Sequence, residues 1–271
     1  MKLKNYYILL FVSFLFVSCG EYTRILKSTD VDEKYEYAKV YYDQGKYTRS
    51  ATLLSDVITV YRGTEDAENA LYLLAMSHFK MKDYLSAGEY FARYCNMYPR
   101  GVHAQESRFN VAYGDYMDSP DARLDQEITK RAIKELDSFV EMYPRSELAD
   151  SATAMRYELV DKLCYKEYLS AKLYLNLGTY MGNNYEAAVI TARNAQKDYP
   201  YTKYREDLGY VIFKARYEAA EFSVDEKKED RLREAYDEYY TFINEFSDGK
   251  YSKEVNKLFE RISKDLEKYE E

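Results

Sequence analysis

The residue with the plainest chemical prospect is Cys19. It directly follows Ser18 at the end of an apolar run, Tyr6 to Val17, that only Ser13 interrupts and that Lys2 and Lys4 precede. A short positive start, an apolar stretch and a small residue at the cleavage point describe a signal segment, and this one falls short of the roughly 20 apolar residues a membrane span needs. Phe16-Val17-Ser18-Cys19 fits a lipobox, with Phe16 where Leu is usual. The expected chemistry is lipidation: the Cys19 thiol is diacylated, the chain is cleaved before it, and the new amine is acylated in turn. Several acyl chains at about 0.8 kcal/mol per buried methylene anchor a protein stably where one does not. Gly20, not Asp, follows Cys19; under the enterobacterial sorting rule this directs the anchored chain to the outer membrane. The start of the chain thus reads as a signal peptide, 1–18, then the lipidated Cys and a polar leash, 19–30.

The other reactive side chains form no recognisable constellation. His78 and His103 lack metal-ligand spacing to any Cys or Glu, and His78 falls on a packing position of a helix. HExxH, CxxC and GxSxG are absent, and with them the usual metal, redox and acyl-transfer sites. Gly249-Lys250-Tyr251-Ser252 has the close of a phosphate loop but lacks its first Gly and a preceding strand. The 47 acidic residues scatter over solvated helix faces without pairing. No catalytic residue, metal site or cofactor is expected, and the chain does not read as an enzyme. The net charge is −8 with no basic stripe apparent along the chain, which excludes nucleic acid as a partner.

Only 10 Gly and 4 Pro occur in 271 residues, and β-branched runs are rare, so the elements that carry these side chains should be helices. Three of the four prolines close amphipathic stretches as Tyr98-Pro99, Tyr143-Pro144 and Tyr199-Pro200; proline cannot continue a helix, so each pair ends one. A second pattern sets a Tyr after a Gly, Asp or Asn turn and a small residue three or four positions on: Gly45-Lys46-Tyr47 to Ser50-Ala51, Lys82-Asp83-Tyr84 to Ala87, Asn183-Asn184-Tyr185 to Ala188. Both belong to the tetratricopeptide frame, a helix-turn-helix of about 34 residues whose small residues let paired helices approach.

The expected fold is all-α, a right-handed α-solenoid of about five such pairs with a C-terminal capping helix. Repeat one carries Tyr37, Ala38, Tyr41, Ser50, Leu54 and Val57; repeat two carries Leu71, Leu74, Ala75, His78, Ala87, Phe91 and Tyr94. Repeat three starts near Ala104 and holds an insertion at 117–123. Repeat four opens on a long helix, Leu148 to Leu177. Repeat five pairs Asp207–Phe222 with Arg231–Phe246 across the charged loop 225–230, and a cap runs from Ser252 to Tyr269. Repeats one to three occupy 31–146; repeats four and five and the cap occupy 147–271. A helix pair cannot bury its apolar face alone, so stacking must supply the core. Cys95 and Cys164 then fall in non-adjacent repeats, and two free, buried thiols are expected even though export would permit a disulfide.

A lipobox Cys, a short leash, Tyr35-Glu36-Tyr37-Ala38, Tyr84-Leu85-Ser86-Ala87 to Tyr98-Pro99, Tyr143-Pro144-Arg145-Ser146 and Tyr185-Glu186-Ala187-Ala188 to Tyr199-Pro200 follow in that order. The set resembles the BamD family of lipoproteins of the outer-membrane β-barrel assembly machine. The resemblance implies a lipid-anchored scaffold on the periplasmic side of the outer membrane, with two protein partners. Its C-terminal repeats would grip a periplasmic domain of the β-barrel insertase, with Arg193, Arg205 and Arg216 as charged candidates. Its N-terminal repeats would receive the aromatic-ended C-terminal segment of unfolded outer-membrane proteins, with Tyr37, Tyr41, Tyr42, Tyr72 and Phe79 as candidate groove residues. The alternative is another envelope tetratricopeptide lipoprotein that scaffolds cell-wall or division enzymes.

Overall fold

A computed structural model describes residues 20–64 and 66–269, and every regular element among them is helical. The signal segment and Cys19 lie outside the described residues. Twelve helices follow in order: α1 (20–26), α2 (Val31–Asp43), α3 (Tyr47–Val60), α4 (Ala67–Lys80), α5 (Tyr84–Met97), α6 (Ala104–Asp118), α7 (Glu127–Met142), α8 (Ala149–Leu177), α9 (Asn184–Asp198), α10 (Arg205–Glu221), α11 (Asp225–Glu245) and α12 (Ser252–Leu266), closed by a 3₁₀ turn, Glu267–Tyr269. Among the described residues no helix is long and apolar enough to cross a membrane.

The turn signals act as helix caps. Asp30 Oδ1 accepts from the Glu33 N–H at 3.0 Å, Asp83 Oδ1 from Ser86 at 3.2 Å and Asn183 Oδ1 from Glu186 at 3.4 Å, each satisfying a donor that the first turn would otherwise leave open. Chain neighbours then pack as antiparallel pairs: α2 on α3, α4 on α5, α6 on α7, with further contacts between α3 and α4 and between α5 and α6. The small residues sit where the pairs approach. Ala38, Ala75 and Ala112 are fully buried and recur at one constant interval on α2, α4 and α6; Ser50 and Ala87 hold the matching place on α3 and α5. Leu54, Phe91 and Leu136, then Val57, Tyr94 and Phe139, fill the space between pairs and are fully buried. Each such side chain stabilises the fold by about 1.5–3 kcal/mol through burial.

The chain forms two compact units. The first runs to Ser119 and resumes over Glu127–Arg156; the second comprises Pro120–Gln126 and Tyr157 onward, so the division falls inside α8. The insertion after α6 is ordered. Ala122 and Gln126 are buried, Gln126 Nε2 donates to the Asp121 and Leu124 carbonyls at 2.8 and 3.1 Å, and Lys166 Nζ donates to the Leu124 carbonyl at 2.8 Å. In the second unit α9 packs on α10, α10 on α11, α11 on α12, and α10 also meets α12.

Two expectations need correction. Residues 225–230 are not a loop: they form the first turns of α11, and the connection shrinks to Phe222, Ser223 and Val224. Glu and Lys are good helix formers, Asp225 and Glu226 lie at the N-terminus where the dipole favours negative charge, and Arg231 Nη1 pins the connection through the Ala219 carbonyl at 3.2 Å and Ser223 Oγ at 3.0 Å. Charge alone does not make a loop when the charged residues are helix formers. Cys95 and Cys164 are both free, but only Cys164 is buried and Cys95 is half-buried beneath the start of α6, 3.9 Å from the Ala104 carbonyl.

Candidate protein-docking faces

In the first unit the first helix of each pair carries two aromatic registers set by the same interval as the alanines. Tyr35, Tyr72 and Phe109 form the inner one and are buried. Tyr35 Oη accepts from Asn69 Nδ2 at 2.7 Å, joining α2 to α4. Tyr72, 8% exposed, stacks on His103 at 3.7 Å with rings 6° apart and meets Tyr94 edge-on at 6.0 Å. Burial, helped by a bond to Glu106, pushes the Tyr72 phenol well above its ordinary value. Tyr42, Phe79 and Tyr116 form the outer register and are half-buried. Tyr42 meets Tyr47 at 5.5 Å, Phe79 meets Tyr84 at 5.5 Å and Tyr113 at 5.6 Å, and Tyr116 meets Tyr113 at 6.1 Å. These half-buried rings lie across three successive first helices.

The five aromatic candidates therefore part company. Tyr42 and Phe79 share the outer register. Tyr72 belongs to the inner one, where packing accounts for it. Tyr41 is buried against Tyr22 at 5.7 Å, and Tyr37 donates to Glu21 Oε1 at 3.0 Å beside it, both at the α1 edge of the unit. Tyr116 completes the outer register and is absent from the sequence-based set, although the interval from Tyr42 to Phe79 leads to it.

The arginine candidates lie in the second unit and are already paired. Arg193 of α9 donates to Glu238 Oε2 of α11 at 2.6 Å, passing over one intervening helix. Arg205 at the start of α10 bonds Glu245 through both Nε and Nη2; that bond raises its already high pKa. Arg216, the most enclosed of the three, reaches Glu186 of α9 at 2.6 Å and Glu234 of α11 at 3.0 Å. Their first task is internal, holding α9, α10 and α11 together, and a partner would have to displace a carboxylate to use them.

The second unit also contains an open cleft of about 600 Å³ between the end of α8, the start of α9 and α10. Tyr168, Leu175, Tyr185 and Tyr210 supply its apolar wall, and Lys172 and Lys214 its cations. Tyr210 stacks on Tyr251 at 4.0 Å and donates to Glu254 at 2.7 Å. Gly178 ends α8 at φ +54, with no room for a side chain because Tyr185 Oη lies 2.7 Å from where a Cβ would stand. The Gly249 to Ser252 segment serves a carboxylate inside the protein: Lys250 Nζ and Tyr251 Oη both bond Asp207 of α10, at 2.7 and 2.9 Å. His78 Nδ1 lies 2.8 Å from Asp83. Burial pushes the Asp83 carboxyl up, but the Ser86 and His78 bonds outweigh it and hold it below its ordinary value. Among the described residues no group of three His, Cys, Asp or Glu side chains could hold a metal ion.

A family model for YfiO, described as outer membrane lipoprotein, matches residues 27–221, which spans α2 through α10. No curated protein matches the chain in a sequence search.

Proposed function

Because this chain belongs to the YfiO (BamD) family of outer membrane lipoproteins, we propose that it is the lipid-anchored, periplasm-facing scaffold of the β-barrel assembly machine. Cys19 carries the anchor. The Tyr42, Phe79 and Tyr116 register receives the aromatic-ended C-terminal segment of unfolded barrel proteins, since half-buried rings offer stacking faces without first having to be unpacked. The braced helices of the second unit hold the periplasmic domain of the barrel insertase. The scaffold does no covalent chemistry itself. The observation that carries this reading is the family match, which covers every helix from α2 to α10. Depletion of the chain in its native host tests it: outer-membrane barrel proteins should fall while other envelope proteins hold their level. Altered cell shape with normal barrel protein levels would instead assign the scaffold to cell-wall or division enzymes. Palmitate labelling that persists after Cys19→Ala would remove the anchor.

A further inference from the structure

We propose that α12 carries a docking stripe for an acidic polypeptide segment of a partner protein. Lys253, Lys257, Arg261 and Lys264 are all exposed. At 3.6 residues per turn they fall within an arc of about 80° and extend along about 16 Å of helix. Val255, Leu258 and Ile262, on the opposite side, are buried against the rest of the unit. Among the described residues none of the four has an ion-pair partner, whereas the nearby Lys214, Lys250 and Lys268 are matched by Glu254, Asp207 and Asp265. The stripe is invisible when charges are counted along the chain, because acidic residues alternate with it in sequence; folding into a helix separates the two signs. It therefore corrects the expectation that the protein has no basic stripe.

Four unmatched cations lie together on a protein of net charge −8, and their arrangement selects the occupant. Exposed Glu254 borders the arc on one side and Glu260 and Glu267 on the other. A flat anionic bilayer, or a nucleic-acid backbone, would meet those carboxylates as well as the cations. The arc also holds no apolar residue to insert into lipid and no ring to stack on a base. A single acidic strand or helix can follow the cations and clear the flanking carboxylates, which is the charge complementarity that fixes register at interfaces. The stripe lies beyond residue 221, outside the family match, so this inference does not depend on the barrel-assembly reading.

The test uses the full mature chain and two labelled 16-residue helical peptides, one with Glu at i, i+4 spacing and one with Gln in the same places. At low salt the chain should bind the Glu peptide at least about 10-fold more tightly than the Gln peptide, and added salt should erase the difference. K253E/K257E/R261E/K264E should abolish the preference, and K80E/K134E/K197E/K227E, of equal charge change, should keep it. The neutral K257Q and R261Q variants, read beside circular dichroism, should each lose about 2- to 3-fold with helicity intact. The proposal is overturned if the wild-type chain shows no preference, if the stripe variant retains it, if both quadruple variants lose it alike, or if phosphatidylglycerol vesicles displace the peptide.

Discussion

The two units tie alternate helices together by different means. In the first unit the ties are neutral: Asn69 to Tyr35 between α4 and α2, and Phe79 against Tyr113 between α4 and α6. Its interhelical ion pairs, such as Arg131 to Asp115 at 2.5 Å, join sequence neighbours. In the second unit the ties across one helix are ionic, Arg193 to Glu238 between α9 and α11 and Lys214 to Glu254 between α10 and α12, and Arg216 adds pairs to both neighbouring helices through Glu186 and Glu234. Neutral bonds and ring contacts leave aromatic faces open between helices. Charged ties brace helices that carry the cleft and the terminal cap. One helical-pair plan thus yields an aromatic face in one unit and a charge-locked frame in the other.

The comparison fails if the units differ in their cores rather than in their ties. Phe91→Ala in the first unit and Phe213→Ala in the second, both fully buried, should each cost about 3–5 kcal/mol in denaturant unfolding; a large disparity would move the difference into the cores. Arg216→Met should cost about 1 kcal/mol, because it removes two ion pairs whose carboxylates water still reaches, and rising salt should shrink the cost. Tyr35→Phe should cost about 0.5–1.5 kcal/mol, independent of salt. Equal salt dependence in the two variants would erase the distinction. Asp83→Ala should remove a cap worth about 1 kcal/mol. The Asp83 carboxyl is held below its ordinary value when folded, so its contribution is present above the unfolded pKa and lost as pH falls through the folded one. The wild-type advantage over Asp83→Ala should therefore narrow on acidification, as thermal melts across that range would show. The smallest effect is kinetic. Burial raises both thiols, yet half-buried Cys95 should react with a thiol reagent in the native chain well before Cys164, which should react only on unfolding; equal rates would mean that the α8 core around Cys164 is open.

The sequence shows what is local. Turn residues that cap helices, Tyr-Pro pairs that end them and small residues at close approaches are short-range signals, and α3, α5, α9 and the cap follow them closely. The candidate site is less legible for two physical reasons. A generic frame of about 34 residues is not the interval of this chain, and the true interval, from Ala38 to Ala75 to Ala112, separates Tyr72, in the inner register, from Tyr42, Phe79 and Tyr116, in the outer one. The arginine pairs are non-local: Glu238 lies 45 residues from Arg193 and Glu245 lies 40 from Arg205, so no windowed pattern reports them. Residues 225–230 show the converse, a charged segment whose helix propensity outweighs its resemblance to a loop.

We propose that the outer aromatic register of the first unit is the face that receives client chains. It is tested most directly by measuring the affinity of the mature chain for a peptide ending in Phe, taken from the C-terminus of a barrel protein, beside the Tyr42→Ser, Phe79→Ser, Tyr116→Ser triple variant. Loss of at least about 10-fold with an unchanged circular dichroism spectrum is the predicted result. Unchanged affinity in the folded triple variant would contradict it.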